Sequence, residues 1–178
     1  MRREQGMTLV ELMIVVVIIG LLATVATFMF SKQARKARAG EVDSVFTEMA
    51  LKQEAYRARQ GTYYSGGSFF PAGDPGDTAR APTGTSSTEQ NLRLEIKSNL
   101  YCSYLAGSSA NPSVLGSEVG GSNDINVEFD IGPGLSIEPP TTDWYVNAAI
   151  CDFDGNEVFS YYAQLSWTDQ KLVSNPGE

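Results

Sequence analysis

The first third of the chain passes from a continuous apolar run into an amphipathic pattern, and no proline interrupts it. Residues 12–31 carry no charge, and about 20 such residues form about 30 Å of helix, the thickness of a bilayer core. Residues 31–59 place apolar side chains at three- and four-residue spacings with charges between them. The pattern predicts one helix over residues 8–59, on the order of 75 Å long, whose first half spans a membrane at about residues 12–31.

The remainder of the chain carries turn signals and strand patterns. Gly61 is predicted to end the helix, which would occupy residues 7–60 of the processed chain. A helix-to-sheet loop region is expected at 61–91, because residues 66–88 are rich in Gly, Pro, Ser and Thr, and a second surface loop at 106–123. The region 92–178 is expected to form a sheet, with strand patterns at 92–97, 125–131, 145–153, 158–167 and 171–173. These elements predict an α+β fold in which a small antiparallel sheet packs on the long helix.

Composition narrows the range of functions. The chain has 13 Lys and Arg against 21 Asp and Glu, a formal net charge of -8, so no nucleic acid is expected as a partner. It has no histidine, the commonest general base and zinc ligand. The sequence also has no Gly-rich phosphate loop, serine nucleophile elbow or metal-spaced cysteine set. We therefore expect neither an enzyme nor a bound cofactor.

Two features of the C-terminal half leave alternatives open. Cys102 and Cys151 are far apart in sequence, and outside the cytoplasm they could form a disulfide; two free buried thiols are the alternative. Residues 152–157, Asp-Phe-Asp-Gly-Asn-Glu, place oxygen ligands at alternate positions as a calcium loop does, but they lack its full spacing and distal glutamate. A plain Asp-Gly hairpin turn is the favoured interpretation.

The apolar run differs from an ordinary secretory signal, although Arg2 and Arg3 precede it and residues 24–26 resemble a cleavage site. It exceeds the roughly 7 to 15 residues of a signal core, and the helical pattern continues beyond the supposed cleavage site. Glu11 stands at its start, and a carboxylate near or within a membrane requires a partner or a role. A side chain snorkelling to the interface is the simplest alternative for Glu11.

Residues 6–16, GMTLVELMIVV, followed by IIGLLA at 18–23, closely resemble the class III signal of type IV pilins and type II secretion pseudopilins. The resemblance implies a pilin fold and a leader, residues 1–6, removed by a membrane aspartyl prepilin peptidase that cuts between Gly6 and Met7. It further implies N-methylation of Met7. In that family the acid at Glu11 pairs with the N-terminal amine of a neighbouring subunit and sets its register during filament assembly.

The sequence departs from the family pattern at two positions. Met7 stands where phenylalanine is usual after the cut, and Phe28 stands where many of these proteins have proline. Proline kinks a helix, so its absence predicts a straighter segment near Phe28. Lys32, Arg35, Lys36 and Arg38 follow the span, and they are interpreted as a solvated face at the headgroups or as complementary charge for acidic neighbours in a filament.

The resemblance therefore implies a structural subunit, a major or minor pilin, of a type IV pilus. The precursor would lie in the inner membrane with its C-terminal head outside the cytoplasm, and the filament would be extracellular. Expected partners are other pilins, the prepilin peptidase, the inner-membrane assembly platform and, before assembly, the membrane. The alternatives are a pseudopilin in a periplasmic type II secretion pseudopilus and a minor pilin with an adhesive or binding role at a filament tip.

Overall fold

The computed structural model describes residues 7–66, 68–111, 140–168 and 171–174, apart from the side chain at position 28. The described residues contain a long helix followed by a short helix and a four-stranded antiparallel sheet in the order β1-β2-β3-β4. The predicted α+β fold of a long N-terminal helix with a small antiparallel sheet is confirmed. The elements are α1 (Leu9–Gln60), α2 (Ser87–Leu92), β1 (Cys102–Ser108), β2 (Tyr145–Cys151), β3 (Ser160–Leu165) and β4 (Lys171–Ser174).

Both ends of α1 are closed by the residues that its sequence provides. Thr8 is the N-cap and forms a capping box with Glu11, which satisfies backbone donors that the first turn leaves free. Gly61 follows the last turn with a left-handed φ of 82°, and its N–H donates to the carbonyl of Arg57 at 2.8 Å. Glycine adopts this conformation without steric cost, which explains why the helix ends there.

The second half of α1 packs on one face of the sheet and forms the main core. Val42, Val45, Phe46 and Met49 are buried at helical spacing, so one stripe of α1 faces the sheet. Gln53 extends this stripe as a fully buried polar residue. Its amide is satisfied because it donates to the carbonyl of Tyr64 and accepts from the Tyr64 N–H, at 3.0 and 2.9 Å. From the sheet and its flanks, this core takes Phe70, Leu100, Cys102, Tyr104, Ala149, Cys151, Phe153 and Tyr162.

The opposite face of the sheet also carries a buried apolar cluster. It consists of Leu105, Trp144, Val146, Ala148, Ala163 and Leu165. All seven residues of β1 are buried, and so are six of the seven in β2. Both faces of the sheet are therefore apolar at β1 and β2. For this reason β1 lacks the alternation of buried and exposed residues that a strand with one solvated face shows.

The prediction of a strand at 92–97 is wrong. Leu92 ends α2, a one-and-a-half-turn helix that begins with a capping box between Ser86 and Glu89. Arg93 then adopts a left-handed φ of 53° and closes the helix. Leu94 and Ile96 pack against the core from an irregular segment, which explains how an alternating pattern arises without strand pairing.

Two further predictions need correction or limitation. The loop predicted at 106–123 is wrong for its first three residues, because residues 106–108 belong to β1 and pair with β2. The predicted strand at 125–131 lies outside the described residues. The predicted hairpin partners are present but shorter than expected, with β2 ending at Cys151 and β3 beginning at Ser160; the connection at 152–159 is thus longer than a tight turn.

Candidate assembly site

The first half of α1 exposes nearly all of its apolar surface. The large apolar residues described between Leu9 and Phe30 are each 45% to 76% exposed. By length and composition, this is the one helix in the described residues that could cross a membrane. Apolar surface costs free energy in proportion to the area left in water. This surface therefore requires lipid, other protein chains, or both in turn.

Polar groups within this segment are satisfied by the helix itself. The hydroxyls of Thr24, Thr27 and Ser31 donate to main-chain carbonyls three or four residues earlier, at 2.9 to 3.1 Å. Such bonds remove the cost of placing a hydroxyl in an apolar medium. The helix continues without a break past Gly20 and residue 28. The segment thus presents an apolar rod with no unsatisfied hydroxyl.

The residues predicted to guide assembly lie at the start of this rod. Gly6 lies outside the described residues, and Met7 is 67% exposed. Glu11 is exposed, and its Oε2 accepts hydrogen bonds from the N–H and the hydroxyl of Thr8, at 2.8 and 2.9 Å. The Glu11 N–H in turn donates to the Thr8 hydroxyl at 3.3 Å. The capping box holds the carboxylate towards the N-terminal end of the helix, one turn from Met7.

Charged residues fasten the head to α1 just beyond the apolar segment. Arg35 forms an ion pair with Asp154 at 2.9 Å. Arg38 donates to the carbonyl of Phe153 and lies 4.5 Å from the ring centre of Tyr101. These two arginines tie the β2–β3 connection to the helix, a role that the sequence pattern did not show.

Glu41 is a second fastening residue that the sequence reasoning missed. Its carboxylate accepts from the N–H groups of Tyr101 and Cys102 and, at 2.8 Å, from the hydroxyl of Tyr104. Burial of Tyr104, and secondly the charge of Glu41, raise the pKa of the Tyr104 hydroxyl. The position of this carboxylate beside the buried stripe of α1 was a signal for a structural role. Its partners could not be identified from the sequence, because they lie about 60 residues away.

Cys102 and Cys151 form a disulfide. They face each other directly in the register of β1 and β2, and both side chains are fully buried. The bond links the first strand of the sheet to its neighbour across a sequence separation of 49 residues.

The acidic loop at 152–157 is organised by hydrogen bonds within the chain. Asp152 is buried, and its two carboxylate oxygens accept from the N–H groups of Gly155 and Glu157, at 2.7 and 3.1 Å. Asp154 is occupied by Arg35 and Asn156. Within the described ranges, no group of three or more His, Cys, Asp or Glu residues could hold a metal ion. These contacts are those of a turn, in which Asp152 satisfies backbone donors.

The N-terminal sequence matches one known family. The family described as the prokaryotic N-terminal methylation motif matches residues 1–27, which include the predicted cleavage site, Glu11 and most of the apolar segment. Together with the long helix and the small antiparallel sheet, this match supports a type IV pilin-like protein or a pseudopilin. Comparison with curated proteins and with solved structures found no match to the chain. The motif and the exposed helix fit a membrane-anchored precursor.

Proposed function

We propose that the chain is a structural subunit, a major or minor pilin, of a type IV pilus filament. The observation that supports this most strongly is the division of α1 into two halves. One half exposes its apolar side chains, and the other is packed into the head. Before assembly, the exposed half of such a helix anchors the head in a bilayer. In the filament, the same half packs against the corresponding helices of other copies. The proposal assigns the chain no catalytic activity.

Processing would prepare the chain for assembly. Prepilin peptidase would cut between Gly6 and Met7, leaving an N-methylated amine one helical turn before Glu11. The precursor would wait in the inner membrane with its head outside the cytoplasm, and an inner-membrane assembly platform would transfer it to the filament. Moving α1 from lipid to a helix bundle keeps its apolar side chains out of water throughout, so the transfer need not expose them.

Glu11 would set the register of each arriving subunit. Its carboxylate would pair with the amine of Met7 on a neighbour already in the filament. In an apolar bundle, an unpaired charge is strongly unfavourable, so a misplaced subunit that leaves both groups unpaired is rejected. The net contribution of the pair to stability is small by comparison, because both charges lose their hydration.

The test is filament incorporation in cells that lack the native gene. We expect Glu11→Ala and Glu11→Gln to remain in the membrane fraction and to disappear from sheared surface filaments. Thr8→Ala is the matched control, because it breaks the capping box but keeps the acid, and it should still enter filaments. Normal filaments built only from Glu11→Ala would refute the register role.

The same cells separate a pilus from a secretion pseudopilus. Loss of surface filaments on deletion supports the pilus, whereas loss of protein secretion with surface filaments intact would assign the chain to a type II secretion system. The number of copies per sheared filament distinguishes a major subunit from a minor one at the tip.

A further inference from the structure

We propose that Lys32 and Lys36 of one copy dock in an acid-rimmed groove on the head of a second copy in the filament. This contact rests on the proposed function and adds a second interface to the one at Glu11. The groove lies between α1 and residues 95–101, and its acidic rim is formed by Glu48 and Glu95.

The structure separates the four basic residues after the apolar segment into two pairs. Arg35 and Arg38 are half-buried and hold the β2–β3 connection of their own chain. Lys32 and Lys36 are exposed, and their four-residue spacing places them on one face of α1, about 6 Å apart along the axis. The two lysines are therefore the cations available to a neighbour.

The groove suits lysine side chains in both shape and chemistry. It has a volume of about 570 Å³ and is lined by Val45, Ile96 and Tyr101 as well as by polar groups. The side chain of Glu95 is 82% exposed, and Glu48 holds the rim in place by accepting from the Glu95 N–H at 2.6 Å. A lysine places its apolar stem along such a lining while its ammonium group reaches the carboxylates.

Other charges at the groove are already engaged or lie at its edge. The Glu41 carboxylate already accepts hydrogen bonds from Cys102 and Tyr104 of β1. Arg38 donates to the carbonyl of Phe153 and lies over the ring of Tyr101. Lys52 lies 4.0 Å from Glu95, and Lys97 also lines the groove. An incoming pair of lysines must therefore compete with Lys97, which is exposed, and with the half-buried Lys52, which is held only by a long ion pair.

The distribution of charge along the chain favours contact between copies. Residues 32–40 contain four basic residues and no acidic one, whereas residues 41–178 contain 7 Lys and Arg against 19 Asp and Glu. Parallel copies displaced along the filament axis bring the basic band of one beside the acidic head of another. Attraction of this kind steers approach and fixes register more than it adds affinity.

The spacing of Lys36 and Glu48 along α1 determines how far the two copies must be displaced along the filament axis for the contact to form. Lys36 and Glu48 are 12 positions apart on α1, or about 18 Å along the axis. Within one chain the two side chains are too far apart to meet, so any direct bond between them joins two copies displaced by about this distance. The competing interpretation is that the lysines bind anionic lipid headgroups, which requires no fixed displacement between two copies.

The first experiment is a charge exchange in the full-length chain. Lys32→Glu with Lys36→Glu should lower the protein in sheared filaments about tenfold, and Glu48→Lys with Glu95→Lys should do the same. Combining all four changes should restore filaments, because the attraction is re-formed with the signs reversed. Filament levels unaffected by either pair would overturn the proposal. The proposal would also be overturned if the lysine double variant were lost from the membrane fraction and the exchange of all four charges did not restore filaments. That result would show that the lysines bind lipid headgroups.

The second experiment is zero-length carbodiimide cross-linking of sheared filaments, followed by peptide mass spectrometry. We expect an amide between Lys36 and Glu48 or Glu95. Lys36→Arg is the matched control, since it keeps the charge but cannot form this amide; its filaments should persist without the cross-link. Wild-type filaments that form but contain no such amide would contradict the lysine contact and leave the proposed function standing. Absence of wild-type filaments would overturn the proposed function and this contact together.

Discussion

Replacing Glu41 with alanine should weaken the attachment of the head to α1, because three donors of the head lose their acceptor. The carboxylate joins the helix to the start of β1 by accepting from Tyr101, Cys102 and the Tyr104 hydroxyl. Tyr104 is fully buried and packs between Phe46 and Phe70. Its hydroxyl therefore cannot be rehydrated without opening the core.

The expected loss follows from the number of donors left unpaired. A buried donor without a partner costs about 1 to 3 kcal/mol. Two of the three donors belong to fully buried residues, Cys102 and Tyr104, whereas Tyr101 is partly exposed and can turn to water. The two buried donors together give a loss of about 2 to 6 kcal/mol in the free energy of unfolding, or roughly 4 to 24 °C in Tm for a chain of this size. Glu41→Gln, which keeps one acceptor oxygen, should lose about 1 kcal/mol.

The assay is urea unfolding of the full-length chain in detergent micelles, followed by near-ultraviolet circular dichroism of the head. Glu48→Ala is the control, because it removes one carboxylate from the same helix and only the bond to the Glu95 N–H; its loss should stay below about 1 kcal/mol. A Glu41→Ala variant no less stable than Glu48→Ala would show that Glu41 does not fasten the sheet to the helix.

Two further predictions concern the head. Removing the disulfide with Cys102→Ala and Cys151→Ala should lower the free energy of unfolding by about 4 kcal/mol, since the bond closes a chain segment of about 50 residues; equal urea midpoints for the double variant and the oxidised wild type would contradict this. Burial raises the pKa of Tyr145 to about 12 and also raises that of Tyr104. The unfolded chain releases these protons near pH 10 and the folded chain does not, so stability should fall as the pH rises from about 10 to 12. Urea midpoints across this range should fall less steeply in Tyr145→Phe, and a flat wild-type profile would show the assignment to be wrong.

The sequence predicted the elements whose patterns are long or repeated. The apolar run and the stripe at Val42, Val45, Phe46 and Met49 specify α1 by their period, and Gly61 specifies its end. The segment at 92–97 shows the limit of this reasoning, because its alternation arises from packing in an irregular segment. The capping box between Ser86 and Glu89 was the signal for α2.

The strand β1 was hidden for a different physical reason. Its two faces are both buried, so the alternation that identifies a half-exposed strand is absent, and Gly107 and Ser108 have the composition of a loop. The fastening contacts of Arg35, Arg38 and Glu41 were equally invisible, since each depends on tertiary partners about 60 to 120 residues away. The motif at Gly6, Met7 and Glu11 was visible because it is local.

Mass spectrometry of the N-terminus, on protein recovered from sheared filaments, shows whether the chain is processed and assembled as a pilin. We expect a chain that begins at Met7 and carries one methyl group on its α-amine. A chain that begins at Met1, or one cut near Thr27 so that the apolar segment is lost, would contradict this expectation.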